Sequence, residues 1–294
     1  MLKSKKSLPL LLVFLLQFSS LSQSQGAPVV KRKAAPTPAS VSPTAKPSAA
    51  PSIAGTPNAE SLADRMTRVD QLLLQRFDPE KRHEATDALR KLNQELPLDR
   101  DIGWKFAMAT YSYGFNLKNA AKGEKAKLFE EGRDAALRVA EKFPDCAPCH
   151  FWTAINHALL GSEKGVFSSA SGLKKVREHA YRVLELDATY AQGGAHRLLA
   201  QIDKALPGIL GGSNSRARKH FEEAIQIAPD EPMNYYELSQ LLANEFDAPQ
   251  AALDIAKKGL AIGPLPADRV EGNETLDHLR IWILKLNEQI AQKK

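Results

Sequence analysis

From residue 58 onward the sequence predicts an all-α fold: a right-handed solenoid of repeated helix pairs over 59–294, closed by a C-terminal capping helix. Three observations carry this. No segment alternates apolar and polar residues as a half-buried strand would. The stretches between breakers run 12 to 20 residues, with apolar positions three and four apart. One pattern, small or apolar at offsets of zero, four and seven followed by a helix stop five residues later, recurs five times.

The five sets, in order, are Ala85, Leu89, Leu92, Pro97; Gly132, Ala136, Val139, Pro144; Val176, Ala180, Val183, Ala188; Ala217, Phe221, Ala224, Pro229; and Ala252, Ala256, Gly259, Pro264. Offsets of four and seven put three residues on one helical face. A proline then ends the helix, because it has no N–H to donate and clashes with the preceding turn. Ahead of four of these sets lies a partner helix with an aromatic or small residue followed by apolar ones: Trp104, Ala107, Tyr111; Trp152, Ile155, Leu159; Ala195, Leu198, Ile202; and Tyr235, Leu238, Leu242. Together these resemble a degenerate tetratricopeptide helix pair. The aromatic residues Trp104, Trp152, Tyr235 and Phe221 are accordingly expected in the repeat core. A last helix near 273–291 is expected to cap the stack. Successive stops are 47, 44, 41 and 35 residues apart, whereas a standard repeat needs about 34. The excess is expected in loops at 161–172 and 206–214, on the side of a solenoid where binding often takes place.

The beginning of the chain reads differently. Residues 1–6 carry three lysines, 8–16 are LPLLLVFLL, and small and polar residues follow. That is the pattern of a secretory signal peptide over about 1–26, too short in its apolar part to span a membrane. Residues 27–58, rich in Pro, Ala, Ser and Thr, are expected to be a disordered linker. With no cysteine for lipidation nearby, the expected location is the periplasm or the exterior. The first 57 residues hold seven Lys or Arg and no Asp or Glu, which leaves 33 basic and 34 acidic residues beyond them. The overall charge of +6 therefore gives no nucleic-acid surface to the folded part.

CAPCH, residues 146–150, admits three chemistries: covalent haem attachment, a redox dithiol at a helix start, or a structural disulfide. The stretch falls after the Pro144 stop and before Trp152, at a repeat boundary in an oxidising compartment. That position favours a disulfide between Cys146 and Cys149. No Ser-His-Asp grouping, metal-spaced histidine cluster or phosphate loop is visible along the chain. No enzymatic activity and no cofactor are expected.

The segments CAPCHFWTAIN, LELDATYAQGGAHRLLAQIDKALPG and ARKHFEEAIQIAPDEPMNYYELSQLLA together resemble the T-component family of TRAP transporters, over about 100–262. The resemblance implies an all-helical, non-enzymatic partner of a periplasmic solute-binding protein, with a channel or groove for an apolar small ligand. It also points to Trp152, Asn156, Gly193, Gly194, Arg197 and Asn234 as the ligand or partner surface. Asn156 and Arg197 either face an internal cavity or cap neighbouring helix ends. A general cell-envelope scaffold is the alternative, and a homo-oligomer is compatible with either.

Overall fold

The computed structural model describes residues 60–164, 170–266 and 269–293. The expected signal peptide and linker lie outside the described residues. Within them the chain forms eleven α-helices, one 3-10 turn and no strand. The helices are α1 (Leu62–Leu74), α2 (Pro79–Glu95), α3 (Arg100–Asn116), α4 (Glu124–Lys142), α5 (Ala147–Glu163), α6 (Ala170–Asp187), α7 (Gly194–Ala205), α8 (Asn214–Ile227), α9 (Pro232–Glu245), α10 (Pro249–Leu260) and α11 (Val270–Gln292). Consecutive helices pack on one another throughout, with α3 also touching α5 and α9 also touching α11. This is the predicted solenoid of helix pairs. No helix among the described residues is long and apolar enough to cross a membrane.

The local chemistry of each boundary is visible in the sequence. Ser61, Asp78, Asp99 and Ser213 accept hydrogen bonds from the free N–H groups at the starts of α1, α2, α3 and α8. Proline lies in the first turn of α2, α5, α9 and α10, where its missing N–H has no helical partner to lose. The stops hold too: α2, α4 and α8 each end two residues before Pro97, Pro144 and Pro229, and their C-cap N–H groups close on Leu92, Val139 and Ala224. Every offset-zero, four and seven residue of the five sets is buried. Their small side chains let paired helices approach. Gly259 of α10 is one such point, since a Cβ there would stand 2.6 Å from Tyr235 Cβ.

Three expectations are corrected. The 161–172 segment is not simply a loop: α5 runs to Glu163 and α6 begins at Ala170, so half of its twelve residues are helical. With 17 and 19 residues, α3 and α4 alone exceed a whole standard repeat, as do the 17 and 18 of α5 and α6. The N-terminal repeats are therefore long because their helices are long. The 206–213 connection, between helices of 12 and 14 residues, is a true loop insertion. Second, Trp104 and Tyr235 are half-buried rather than core residues. The Tyr235 hydroxyl must reach the Pro229 carbonyl at 3.0 Å, and the Trp104 indole donates to Asp101 at 3.3 Å, so each ring keeps a wet edge. Third, the capping helix starts at Val270 and does more than cap. Arg76, in the turn after α1, makes a two-pronged bond to Glu271 of α11 at 2.9 Å in each arm, joining positions 195 residues apart. The stack curls until its first and last elements meet.

Candidate functional site

Cys146 and Cys149 are joined as a disulfide. Cys146 is the N-cap of α5, its sulfur accepting from the Cys149 N–H at 3.2 Å. Both ring nitrogens of the adjoining His150 are engaged within the fold. Nε2 lies 3.2 Å from the Pro144 carbonyl and therefore carries the proton, leaving Nδ1 to accept from His179 Nδ1 at 2.8 Å. CAPCH is a stapled turn between repeats.

Asn156 is fully buried against the middle of α3. Its amide donates to the carbonyls of Ala107 at 2.9 Å and Trp152 at 3.0 Å, and its Oδ1 accepts from Thr110 Oγ1 at 3.3 Å. It ties α5 to α3 through mid-helix carbonyls, which is neither of the two expected roles. Trp152 is also inside the stack. Its indole donates to the Tyr190 hydroxyl at 3.0 Å, and its ring meets Tyr111 and Phe151 at 5.4 and 5.1 Å between centroids. Burial pushes the Tyr190 hydroxyl above its ordinary pKa.

Gly193, Gly194, Arg197 and Asn234 do come together. After α6 the chain turns through three successive left-handed residues, Ala191, Gln192 and Gly193, with φ of 51°, 50° and 77°. For Ala191 and Gln192 that conformation costs about 1 to 2 kcal/mol each. Gly193 also lies against α8, where a Cβ would be 3.2 Å from Ala224 Cα. A Cβ on Gly194 would be 2.9 Å from the Phe151 ring. Buried Arg197 holds the turn, donating to Ala191 O at 2.8 Å, Gln192 O at 2.6 Å and Asn234 Oδ1 at 2.7 Å. Three charge-assisted bonds of about 1.5 to 3 kcal/mol outweigh the backbone strain. Burial lowers the Arg197 pKa, while Glu231 and Glu237 oppose the shift. Asn234 in turn donates to Ala224 O in the last turn of α8 and to Ala228 O at its C-cap, at 2.9 and 3.1 Å. The Arg197–Asn234 pair thus takes the capping role, holding a turn and a helix end.

Among the described residues, an accessible concavity lies elsewhere, between α4, α5 and α6. A groove of about 830 Å³ has Leu137, Leu160, Leu173 and Val176 among its apolar lining, and Arg133, Asp134, Lys164, Lys175 and Glu178 bring both signs of charge to it. His157 and His179 also line it. Burial lowers the pKa of both; for His179 the nearby His150, His157 and Lys175 add to the effect and take it to about 4. The sign follows directly. A histidine with a folded pKa below its ordinary 6.5 contributes stability above pH 6.5 that is lost as the pH falls toward 4, because the unfolded chain takes up the proton first. Urea unfolding is expected to show stability falling from pH 6.5 to about 4, and His179→Gln is expected to flatten that slope.

Sequence reasoning missed two features. The groove is assembled from three helices, and only its adjoining 161–172 segment was marked in advance. The second is a cluster of His196, His220 and Glu223, spaced as metal ligands are. Its sole linear trace is the i, i+3 placement of His220 and Glu223 on α8.

Fold and geometry define an all-helical repeat protein with disulfide-stapled and arginine-clamped turns and a mixed-charge groove. Residues 66–193, from α1 to the left-handed turn, match a family model described as Regulator of microtubule dynamics protein 1-3. The chain is similar to that family over this part. No curated protein sequence matches it.

Proposed function

We propose that this chain is an exported, non-enzymatic protein of tetratricopeptide-like repeats that docks a second protein in the α4–α5–α6 groove, and that the partner is the solute-binding protein of a TRAP-type transporter. The groove supports this reading: apolar side chains are overlaid by charges of both signs, as in the core and rim of protein interfaces. Its edge includes Lys164 at the end of α5 and Gly172 in the first turn of α6. The resemblance of 100–262 supplies the partner. The similarity over 66–193 supports a second reading, because the matching family's name concerns microtubule dynamics. The two readings differ in compartment and are separable in solution.

The test is a titration of the purified solute-binding protein against wild type, a Lys164→Glu/Lys175→Glu variant, and Lys257→Glu on α10 as control. Saturable binding weakened at least tenfold by the groove pair alone is the expected result. Absence of binding sinks the transporter version, and co-sedimentation with assembled microtubules would establish the second reading instead.

A further inference from the structure

His196 stands in the first turn of α7, and His220 and Glu223 stand one turn apart on α8, which packs against it. Their atoms converge. His196 Nδ1 is 3.0 Å from His220 Nδ1 and 3.1 Å from Glu223 Oε2, and His220 Nδ1 is 3.5 Å from the same oxygen. The two imidazole side chains are only 11% and 13% exposed, and Glu223 is 33% exposed. A four-coordinate ion with bonds of about 2.0 to 2.1 Å would hold its ligand atoms about 3.3 Å apart, and the three separations bracket that value.

Protons alone serve this arrangement poorly. With one neutral ring protonated on Nδ1 and the other on Nε2, a single N–H lies between two lone-pair acceptors and satisfies one contact at a time; with both protonated on Nδ1, two N–H groups meet 3.0 Å apart. The other histidine pair shows the contrast. His150 and His179 also meet through Nδ1, but Pro144 O fixes the tautomer and no carboxylate approaches, so one N–H completes that contact. At His196 and His220 a carboxylate oxygen, Glu223 Oε2, is aimed at the same point as the two ring nitrogens.

Charge around the cluster leaves it available for a cation. Arg177, Asp203 and Lys219 also face His220. Arg177 is bound to Asp203 at 2.6 Å, and Lys219 is 3.8 Å from the other Glu223 oxygen, so neither occupies the centre. The supports are rigid as well. His196 precedes the clamped Arg197, and α8 is anchored by buried Ala217, Phe221 and Ala224.

We propose that His196, His220 and Glu223 bind one borderline divalent transition-metal ion of the zinc class, with a fourth coordination position left for water or a ligand from a partner. Two imidazoles and one carboxylate suit such an ion better than calcium or magnesium, which take oxygen ligands. The ion would link α7 to α8 across the repeat whose loop presents Ile209, 94% exposed.

The test uses the folded, chelator-stripped protein titrated with Co2+ and then with Zn2+ against a chromophoric competitor. One equivalent is expected to bind, with the visible Co2+ band of a low-coordinate nitrogen-oxygen site and a rise in the thermal midpoint on adding Zn2+. Affinity is expected to fall at least a hundredfold in His196→Ala and His220→Ala and at least tenfold in Glu223→Gln, and to be unchanged in His150→Ala. Circular dichroism checks that each variant folds. If an alanine variant does not, Glu223→Gln carries the test, because its side chain is partly exposed. No saturable binding, or equal affinity in all variants, overturns the proposal.

Discussion

Arg197→Met is expected to destabilise the protein by about 3 to 5 kcal/mol in urea unfolding, with Arg197→Lys recovering little of it. The guanidinium is buried and spends its donors on two carbonyls of a left-handed turn and on Asn234. Methionine fills the volume but leaves those acceptors dry and removes the cation that Glu231 and Glu237 sense. Lysine restores charge without the planar fork that spans three acceptors. Gln192→Gly gives the independent check. It relieves a φ of 50°, and the side chain it removes has a buried Oε1 with no hydrogen-bond partner among the described residues. A gain of about 1 kcal/mol is expected in wild type, and part of the Arg197→Met loss should return in the double variant. A destabilising Gln192→Gly would mean that the turn is held by something other than the arginine.

Gly132→Ala carries the second large effect, a loss of about 3 kcal/mol, at the upper end for overpacking. A Cβ on this α4 residue would lie 2.0 Å from Thr110 Oγ1 and 2.8 Å from Asn156 Oδ1. Neither neighbour is free to swing away, since Thr110 bonds Ala107 O at 2.9 Å and Asn156 bonds two carbonyls. Thr110→Ala removes the closer obstacle. The double variant Gly132→Ala/Thr110→Ala is therefore expected to lose at least 1 kcal/mol less than the sum of the single changes. Strict additivity would show that α3, α4 and α5 do not meet at this point.

What was legible in the sequence follows from what repeats. A position buried in every repeat leaves a periodic trace, and so Ala85, Ala136, Ala180, Phe221 and Ala252 could be read without a structure. The same holds for the proline stops, and the disulfide could be placed because its turn lies between the Pro144 stop and the start of the next helix. The partner roles of Asn156 and Arg197 were not legible. Both look like displaced surface chemistry in a repeat core, and only their acceptors, Ala107 O and the carbonyls of Ala191 and Gln192, reveal what they do. Length was misread at 161–172 because extra residues look alike whether they extend a helix or a loop. Contacts made once, such as Arg76 with Glu271 or His196 with His220, leave no period behind.

Buried clamps hold the fold, and the α4–α5–α6 groove is the proposed docking place. Amide hydrogen exchange of the chain with and without the purified solute-binding protein tests that division of roles most directly. Added protection confined to 133–141, 153–164 and 172–179 is the predicted result. Protection centred on 191–197 and 234 instead, or no change anywhere, would contradict it.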